Sequence, residues 1–465
     1  MKIHPHTCAA GLALGLGAVL VWSVVSAWSP DQWPIHLAQS GMFALVTVLA
    51  FLIVREKVSA KLPLILVPFL GAICWGTLQI SFDISIYEYA TWTAVLAWAS
   101  YAGTLWIALH IFTHADLARQ FRSAAVAFGV LLALEATVQK LAFHGQVPWL
   151  ISAARPESAM GSFLNYDHYS AFVELLLPIA LWSAWRDRQR TLAWLGAAAV
   201  LYGSVIVSAS RAGSALATLE VLILLVIVFK HRAANGRRRA AFAITVVGFL
   251  LIATLIVGSG ILMNRFTEHD PLAFRRRTLA VALRIIQARP WPGFGFGTWP
   301  TIYPAYSDYD ELAFVNHAHN DWAEWAGDGG IPFALLMGLV AFRAAWLCRR
   351  APWGIGVVSV FLHSMVDFPL QRPTVMLWLL TILGCLESAR TTKSLIKNSD
   401  RPFRTQPFTR FRAAFACLPT TRLGFLETKT AQQKTGAQPL SRKTQMGLHG
   451  TLPQERGTPG TPRHS

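Results

Sequence analysis

Residues 316–347 read "NHAHNDWAEWAGDGGIPFALLMGLVAFRAAWL" and join a polar head to a long apolar stretch. The apolar part, 322–347, is long enough to cross a bilayer as a helix, which needs about 20 mostly apolar residues. The rest of the chain is similar: of 465 residues, 54% are hydrophobic and 14% are charged, and the mean hydropathy is +0.43. This composition excludes an ordinary water-soluble globular domain and predicts an all-α polytopic membrane protein.

Apolar runs of similar length recur along the chain and predict about twelve membrane-spanning helices. Their approximate limits are 8–28, 36–54, 62–80, 90–112, 120–141, 168–185, 192–209, 213–229, 240–263, 322–347, 352–367 and 374–388. Every second loop is basic, as expected of cytoplasmic loops. The basic loops are "REKVSAK" (55–61), the loop with Arg119 and Arg122, "RDRQR" (186–190), "KHRAANGRRR" (230–239) and the loop with Arg343, Arg349 and Arg350. This alternation predicts an even number of spans with both termini in the cytoplasm.

The spans divide the chain into four regions. Residues 1–263 carry the first nine spans, 264–321 form a large outer loop with an amphipathic helix, and 322–388 carry the last three spans. Residues 389–465 hold 14 Lys and Arg against three acids, without sustained apolar periodicity, which is typical of a disordered basic tail. Contact with anionic lipid explains this cytoplasmic tail more economically than binding of nucleic acid does.

Three consecutive arginines, Arg275, Arg276 and Arg277, break the charge rule because they lie in the outer loop. The surrounding "FRRRTLAVALRIIQARP" (274–290) has the pattern of a short amphipathic helix along the membrane surface. Arginine offers planar donors suited to a lipid pyrophosphate, although adhesion to anionic headgroups is an equal alternative. The next segment, "PWPGFGFGTWP" (290–300), lacks the strand and the lysine of a phosphate-binding loop and is interpreted as a Gly and aromatic turn.

Arg211, in "SASRAG" (208–213), is predicted at the outer junction between the seventh and eighth spans. The small residues around it leave room for a ligand. The alternative is an arginine that extends to the membrane surface and only anchors a helix end.

The polar head of the tenth span offers a further candidate site. If the helix continues back to His319, it places Asp321, Glu324 and Asp328 on one face, where they would meet water, a cation or the outer arginines. A histidine at the mouth of this stripe can move a proton or donate to a phosphate or sugar oxygen. A metal site built on His317 and His319 is the weaker alternative, because the spacing fixes no third ligand.

Several separated motifs between residues 160 and 388 together point to one family. They are "GSFLNYDHYSAFVELLLPIAL" (161–181), "SASRAG" (208–213), "RRRTLAVALRIIQARPWPGFGFGTW" (275–299), "HAHNDWAEWAGDGGIPF" (317–333) and "HSMVDFPLQRP" (363–373). In this order and with these gaps they resemble the bacterial O-antigen ligase and polymerase-like membrane glycosyltransferases. The region after residue 389 has no counterpart in this resemblance.

The resemblance implies a GT-C-like helical bundle with a large periplasmic loop between spans nine and ten. It implies transfer of a glycan from an undecaprenyl-pyrophosphate donor to an acceptor hydroxyl, by an inverting reaction that needs neither a metal nor a cofactor. The acceptor would be a glycan, lipid A-core or a protein hydroxyl, in lipopolysaccharide or exopolysaccharide biosynthesis. The enzyme would be a multi-pass protein of the bacterial inner membrane, with its active site on the periplasmic side.

The resemblance also assigns roles to individual residues. Arg211 and Arg275 would hold the pyrophosphate, and His319 would position or activate the reacting groups, so these three are the expected catalytic residues. Asp367 would shape the last outer turn. The residues expected to contact substrate are Arg276, Arg277, Asn165, His168, Asn320 and Asp321.

Two kinds of alternative remain open. A polymerase of polysaccharide repeat units or a protein O-oligosaccharyltransferase would share these motifs, since the acceptor is not encoded in them. A small-solute or ion transporter could instead use Glu135, Glu174 and Glu220 as intramembrane relay groups. The sequence shows no inverted repeat, and its polar residues gather at one face, which argues against transport.

Overall fold

The computed structural model describes residues 5–29, 31–55, 62–143, 158–230, 236–257, 273–308 and 314–391. The described helices, numbered α1 to α14 in chain order, are Pro5–Val25, Trp33–Arg55, Val67–Ser81, Glu88–Ile111, Ala115–Ala142, Tyr166–Arg186, Thr191–Ser208, Arg211–Lys230, Gly236–Val257, Ala273–Ala288, Trp299–Tyr306, Asp321–Cys348, Ile355–His363 and Pro373–Thr391. Within these ranges no strand is formed.

The described part of the chain is an all-α membrane protein. Eight of its helices are long and apolar enough to cross a bilayer: α1, α2, α3 with the short helix before it, α4, α5, α7, α8 and α12. Four further helices, α6, α9, α13 and α14, coincide with the other predicted spans. Whether all twelve cross the membrane stays a prediction.

Some of the predicted features lie outside the described residues. They include residues 56–61 of the basic loop at 55–61, residues 231–235 of the basic loop at 230–239, residues 264–272 and 309–313 of the predicted outer loop, and the basic tail from 392 onwards. The division into four regions therefore also stays a prediction.

Helix α6 lies at the centre of the bundle. Its residues from Asp167 to Leu181 are buried without interruption, and it packs against α5, α7, α8, α13 and α14. Neighbouring helices therefore cover every face of this stretch. Its few polar side chains, such as Glu174, therefore face other protein groups and not lipid.

Four helix ends meet at one end of this bundle. Helices α6, α8 and α12 begin there, and α13 ends there at His363. Two of these starts have side-chain caps: Asn165 accepts a hydrogen bond from the N–H of Asp167, and Asn320 accepts one from Ala323. Three helix N-termini therefore direct their positive dipole ends towards the same region.

The segment 273–306 packs over this end of the bundle. On α10, Thr278, Val281, Ala282 and Ile285 form a buried stripe that joins a second, smaller core. The turn that follows is bonded to α12, since the N–H of Phe294 donates to Gly327 and that of Gly295 donates to Asp328. The first turn of α10, which carries Arg275, is thereby held above the helix ends.

The sequence predicted that the carboxylates of α12 would face water, a cation or the arginines of the preceding loop, whereas the structure buries them against loop backbone. Helix α12 begins at Asp321, and His319 has a positive φ of 50°, so the helix does not continue back to it. Asp321, Glu324 and Asp328 are all buried, and each accepts a backbone N–H from a surrounding loop, donated by Leu370, Ala318 and Gly297, respectively. Helical spacing places side chains on a common face, but it does not indicate whether loops fold over that face.

Candidate active site

Arg275 is the central cation of the site. Its Nη2 lies 3.0 Å from a carboxylate oxygen of Asp167 and 3.0 Å from one of Asp367. Both carboxylates are buried, while the arginine side chain keeps 24% of its surface exposed. One arginine therefore joins the start of α6 to the turn after α13 and still reaches the surface.

Arg275 and Asp367 stabilise each other's charged forms. Burial alone would lower the pKa of Arg275, but the adjacent Asp367 and Asp167 raise it above the ordinary value. Burial alone would raise the pKa of Asp367, yet the hydrogen bond from His319 and the positive charge of Arg275 hold it well below its usual range. Asp367 is therefore an ionised carboxylate at neutral pH, and Arg275 is its counter-ion.

Asp367 should make the protein's stability depend on acid pH. Because its pKa is lower in the folded than in the unfolded protein, its contribution is complete above the unfolded value of about 4 and is lost as the pH falls below it. We expect the melting temperature of the wild type to exceed that of Asp367→Asn by a constant amount from pH 7 to about pH 5. The difference should shrink on further acidification, as measured by tryptophan fluorescence in detergent. A difference that stays constant down to pH 3 would contradict this assignment.

His319 shares Asp367 with Arg275. Its Nδ1 lies 3.2 Å from Oδ1 of Asp367, and its ring contacts Phe274 and Phe368 edge-on. Donation of the Nδ1 proton to Asp367 fixes the ring and leaves Nε2 as the acceptor in the neutral form. The positive φ of His319 is uncommon for a residue other than glycine.

Arg211 begins α8 beside the same cluster. The preceding residue, Ser210, donates from Oγ to Oδ1 of Asp167 at 2.5 Å and also accepts the N–H of Gly213. Ser210 therefore ties the first turn of α8 to the first turn of α6. This brings Arg211 to the end of the bundle at which Arg275 and His319 lie.

Two more histidines surround the aromatic ring of Phe368. His317 stacks on it with ring centroids 4.4 Å apart, and His168 contacts it edge-on at 4.6 Å. Nδ1 of His317 lies 2.9 Å from Glu324. His317 and His319 are thus held by different carboxylates, an arrangement that does not favour a metal site shared between them.

The other residues predicted to contact substrate differ in their placement. Arg276 and Arg277 are exposed on α10. Asn320 donates to the carbonyl of Met365 and caps α12, so its side chain supports the turn that leads to Asp367. Asp321 is fully buried and binds the N–H of Leu370, and that burial favours a supporting role over direct contact with substrate.

One group of side chains has the spacing of a metal site. Asp167, His363 and Asp367 each offer a ligand atom, and these atoms lie within 4.8 Å of one another. The four carboxylate oxygens already accept hydrogen bonds, however, from Arg275, Ser210, His319 and the N–H of Phe368. The positive charge that a metal ion would bring is thus already supplied by Arg275.

Two parts of this cluster, Asp167 and His363, were not among the residues predicted from the sequence. Asp167 lies between Asn165 and His168 in the motif at 161–181, and an acidic residue at the head of a buried segment could have been matched with an arginine of the loop that carries Arg275. His363, at the end of α13, has Nδ1 2.8 Å from Glu174, and both side chains are fully buried. This pair connects two helices that lie far apart in the sequence, and only the fold reveals it.

Residues 195–338 match the model of a protein family described as O-antigen ligase. The resemblance seen in the motifs is thereby confirmed over this stretch. The O-antigen ligase region includes Arg211, Arg275 and His319, whereas Asp167 and Asp367 lie on either side of it. No curated protein matches the chain. Together with the membrane helices, the O-antigen ligase match supports a membrane enzyme of the ligase or glycosyltransferase type.

Proposed function

We propose that the protein transfers a glycan from an undecaprenyl-pyrophosphate donor to an acceptor hydroxyl at the periplasmic face of the bacterial inner membrane. The observation that carries this proposal is that Asp367 binds both Arg275 and His319. One carboxylate therefore positions both a cation for the pyrophosphate and a group for proton transfer. Arg211 begins a helix at the same end of the bundle.

In the proposed reaction the acceptor oxygen forms a bond to the anomeric carbon from the face opposite the pyrophosphate. The bond from that carbon to the pyrophosphate oxygen breaks, and its electron pair leaves with the lipid pyrophosphate. The hydroxyl proton passes to Nε2 of His319. Arg211, Arg275 and the three helix N-termini stabilise the negative charge that develops on the leaving group, without a metal ion.

The distribution of charge supports a periplasmic site. Basic residues occur at the opposite ends of the site's helices, with Arg186 at the end of α6 and Lys230 at the end of α8. Basic residues favour the cytoplasmic side, so the ends that carry the site belong to the other face. Both termini would then be cytoplasmic if all twelve helices cross the membrane.

Substitution of the site should cause lipid-linked glycan to accumulate. We expect cells with Arg211→Ala or His319→Ala to accumulate undecaprenyl-linked glycan and to lose mature surface glycan. Loss of an acid–base group or of a charge-stabilising donor typically slows a reaction by about 100-fold or more. The measurement is a gel comparison of surface glycans and lipid-linked intermediates at matched expression.

Lys230→Ala is the matched control, since Lys230 ends the helix that Arg211 begins and lies away from the site. The size of the accumulated glycan distinguishes the activities: long chains indicate a ligase, single repeat units a polymerase, and loss of glycan from proteins alone a protein oligosaccharyltransferase. If Arg211→Ala and His319→Ala both match the wild type, the assigned site is wrong and the transporter alternative gains support.

A further inference from the structure

Beneath the candidate site, two helices are joined by a buried pair of titratable side chains. His363 ends α13 and Glu174 lies within α6, and the distance from Nδ1 to Oε1 is 2.8 Å. Both side chains have 0% of their surface exposed. Neither belongs to the groups assigned above to the donor or to the acceptor.

Backbone hydrogen bonds connect His363 to the turn that carries Asp367. Its carbonyl accepts the N–H of Asp367 at 3.1 Å and that of Val366 at 3.0 Å, so it forms the base of the turn that presents Asp367. One of its ring nitrogens lies within 4.8 Å of oxygens of both Asp167 and Asp367. Any displacement of His363 would therefore move the carboxylate that holds Arg275 and His319.

The carboxylates around the His363 ring would hold the ring in place. Nδ1 is bonded to Glu174, while Nε2 is buried without a hydrogen-bond partner among the described residues. With Glu174 on one side and the two aspartates near the other, a ring protonated at both nitrogens would complement every neighbouring carboxylate. Such a ring adds a second positive charge beneath the aspartates, opposite Arg275.

We propose that the Glu174–His363 pair is a positioning pair, which holds the Asp167 and Asp367 carboxylates where Arg275 and His319 need them for glycan transfer. The inference rests on the proposed function. It also has a general physical basis, since a buried ion pair is seldom more stabilising than apolar side chains of similar volume. Because stability alone does not require the pair, we assign it the role of fixing the geometry of the site.

The test replaces the pair with apolar residues of similar volume, as Glu174→Met together with His363→Leu. Because no unpaired charge is left buried, we expect this double variant to fold with a melting temperature close to that of the wild type. With purified protein and a lipid-linked glycan donor, kcat should fall about 10-fold to 100-fold while KM for the donor changes by less than about threefold. His363→Gln alone should also lower kcat, and this loss should largely disappear in an Asp367→Asn background.

Glu387→Gln is the matched control. Glu387 on α14 forms an ion pair with Arg343 on α12, so it also joins two helices, but Arg343 lies near the opposite end of α12 from His319 and Asp321. We expect the substitution of Glu387 to leave kcat unchanged.

Each result decides the question. A double variant that folds and transfers glycan at the wild-type rate would overturn the positioning role while the proposed function stands, provided that Arg211→Ala is inactive in the same assay. A double variant and a His363→Gln variant that both fail to fold would show that the pair is needed for folding and would also overturn it. Absence of transfer by the wild type would remove the proposed function, and the inference with it.

Discussion

Replacement of Arg275 by alanine should lower glycan transfer by at least about 100-fold and should also destabilise the protein. The buried carboxylates of Asp167 and Asp367 would lose their shared counter-ion, and the loss of one member of a buried ion pair costs about 3–5 kcal/mol. The leaving pyrophosphate would lose a donor, and one such donor typically contributes a factor of about 100 to 1,000 to the rate. Transfer assays and melting curves on the purified variant measure the two effects separately.

Arg275→Lys separates stability from catalysis. Lysine keeps the positive charge between the aspartates and should recover most of the melting temperature, but it lacks the planar donors that bind a pyrophosphate at several points. We therefore expect Arg275→Lys to be folded and still poor in transfer. Full recovery of transfer by lysine would mean that charge alone is required.

Arg284→Ala provides the control on the same helix. Arg284 forms an ion pair with Asp308 and donates to the carbonyl of Tyr306, away from Asp167 and Asp367. We expect near-normal transfer from this variant. An equal loss in Arg284→Ala and Arg275→Ala would indicate that α10 contributes only general positive charge.

The helices were predictable from sequence because their signal is local. A continuous apolar run must be helical to satisfy its backbone in a bilayer, and its length sets its ends to within a few residues. Twelve of the described helices accordingly coincide with the predicted spans, as α7 over Thr191–Ser208 does with the span at 192–209, while α10 and α11 lie between the ninth and tenth predicted spans.

The site was only partly predictable, because its partners are not local. Arg275 and His319 stood out as charged or titratable groups in an outer loop, but their common partner, Asp367, lies 92 and 48 residues away, respectively. That pairing depends on how α10, α12 and α13 pack together. Nothing in the spacing of the residues encodes it.

For the carboxylates of α12, the sequence predicted their shared helical face correctly but predicted their surroundings wrongly. Asp321, Glu324 and Asp328 do share a helical face, but surrounding loops cover that face, and the carboxylates accept hydrogen bonds from buried N–H groups of these loops. A polar stripe at the head of a span can thus indicate a covering loop as well as a binding site.

Gly330→Ala should have the largest effect on stability of any single methyl group added to α12. At this residue the helix is interrupted by a backbone conformation with φ 80° and ψ 166°, which side chains other than glycine rarely adopt. A Cβ here would lie 1.9 Å from the carbonyl oxygen of Trp291, far inside any allowed contact. We expect a loss of at least about 3 kcal/mol, visible as a much lower melting temperature or as failure to accumulate in the membrane.

Gly338→Ala, two turns further along α12, is the matched control because a Cβ there meets nothing closer than Trp322 at 3.8 Å. In a regular helix this change should be neutral or should stabilise the protein by roughly 0.5–1 kcal/mol. The interruption at Gly330 lets the N–H of Ile331 bind the carbonyl of Pro290, which anchors the chain just after the helix that carries Arg275. If Gly330→Ala folds, melts and transfers glycan like Gly338→Ala, this anchor does not position the site, and the link between the α12 break and the outer arginine is wrong.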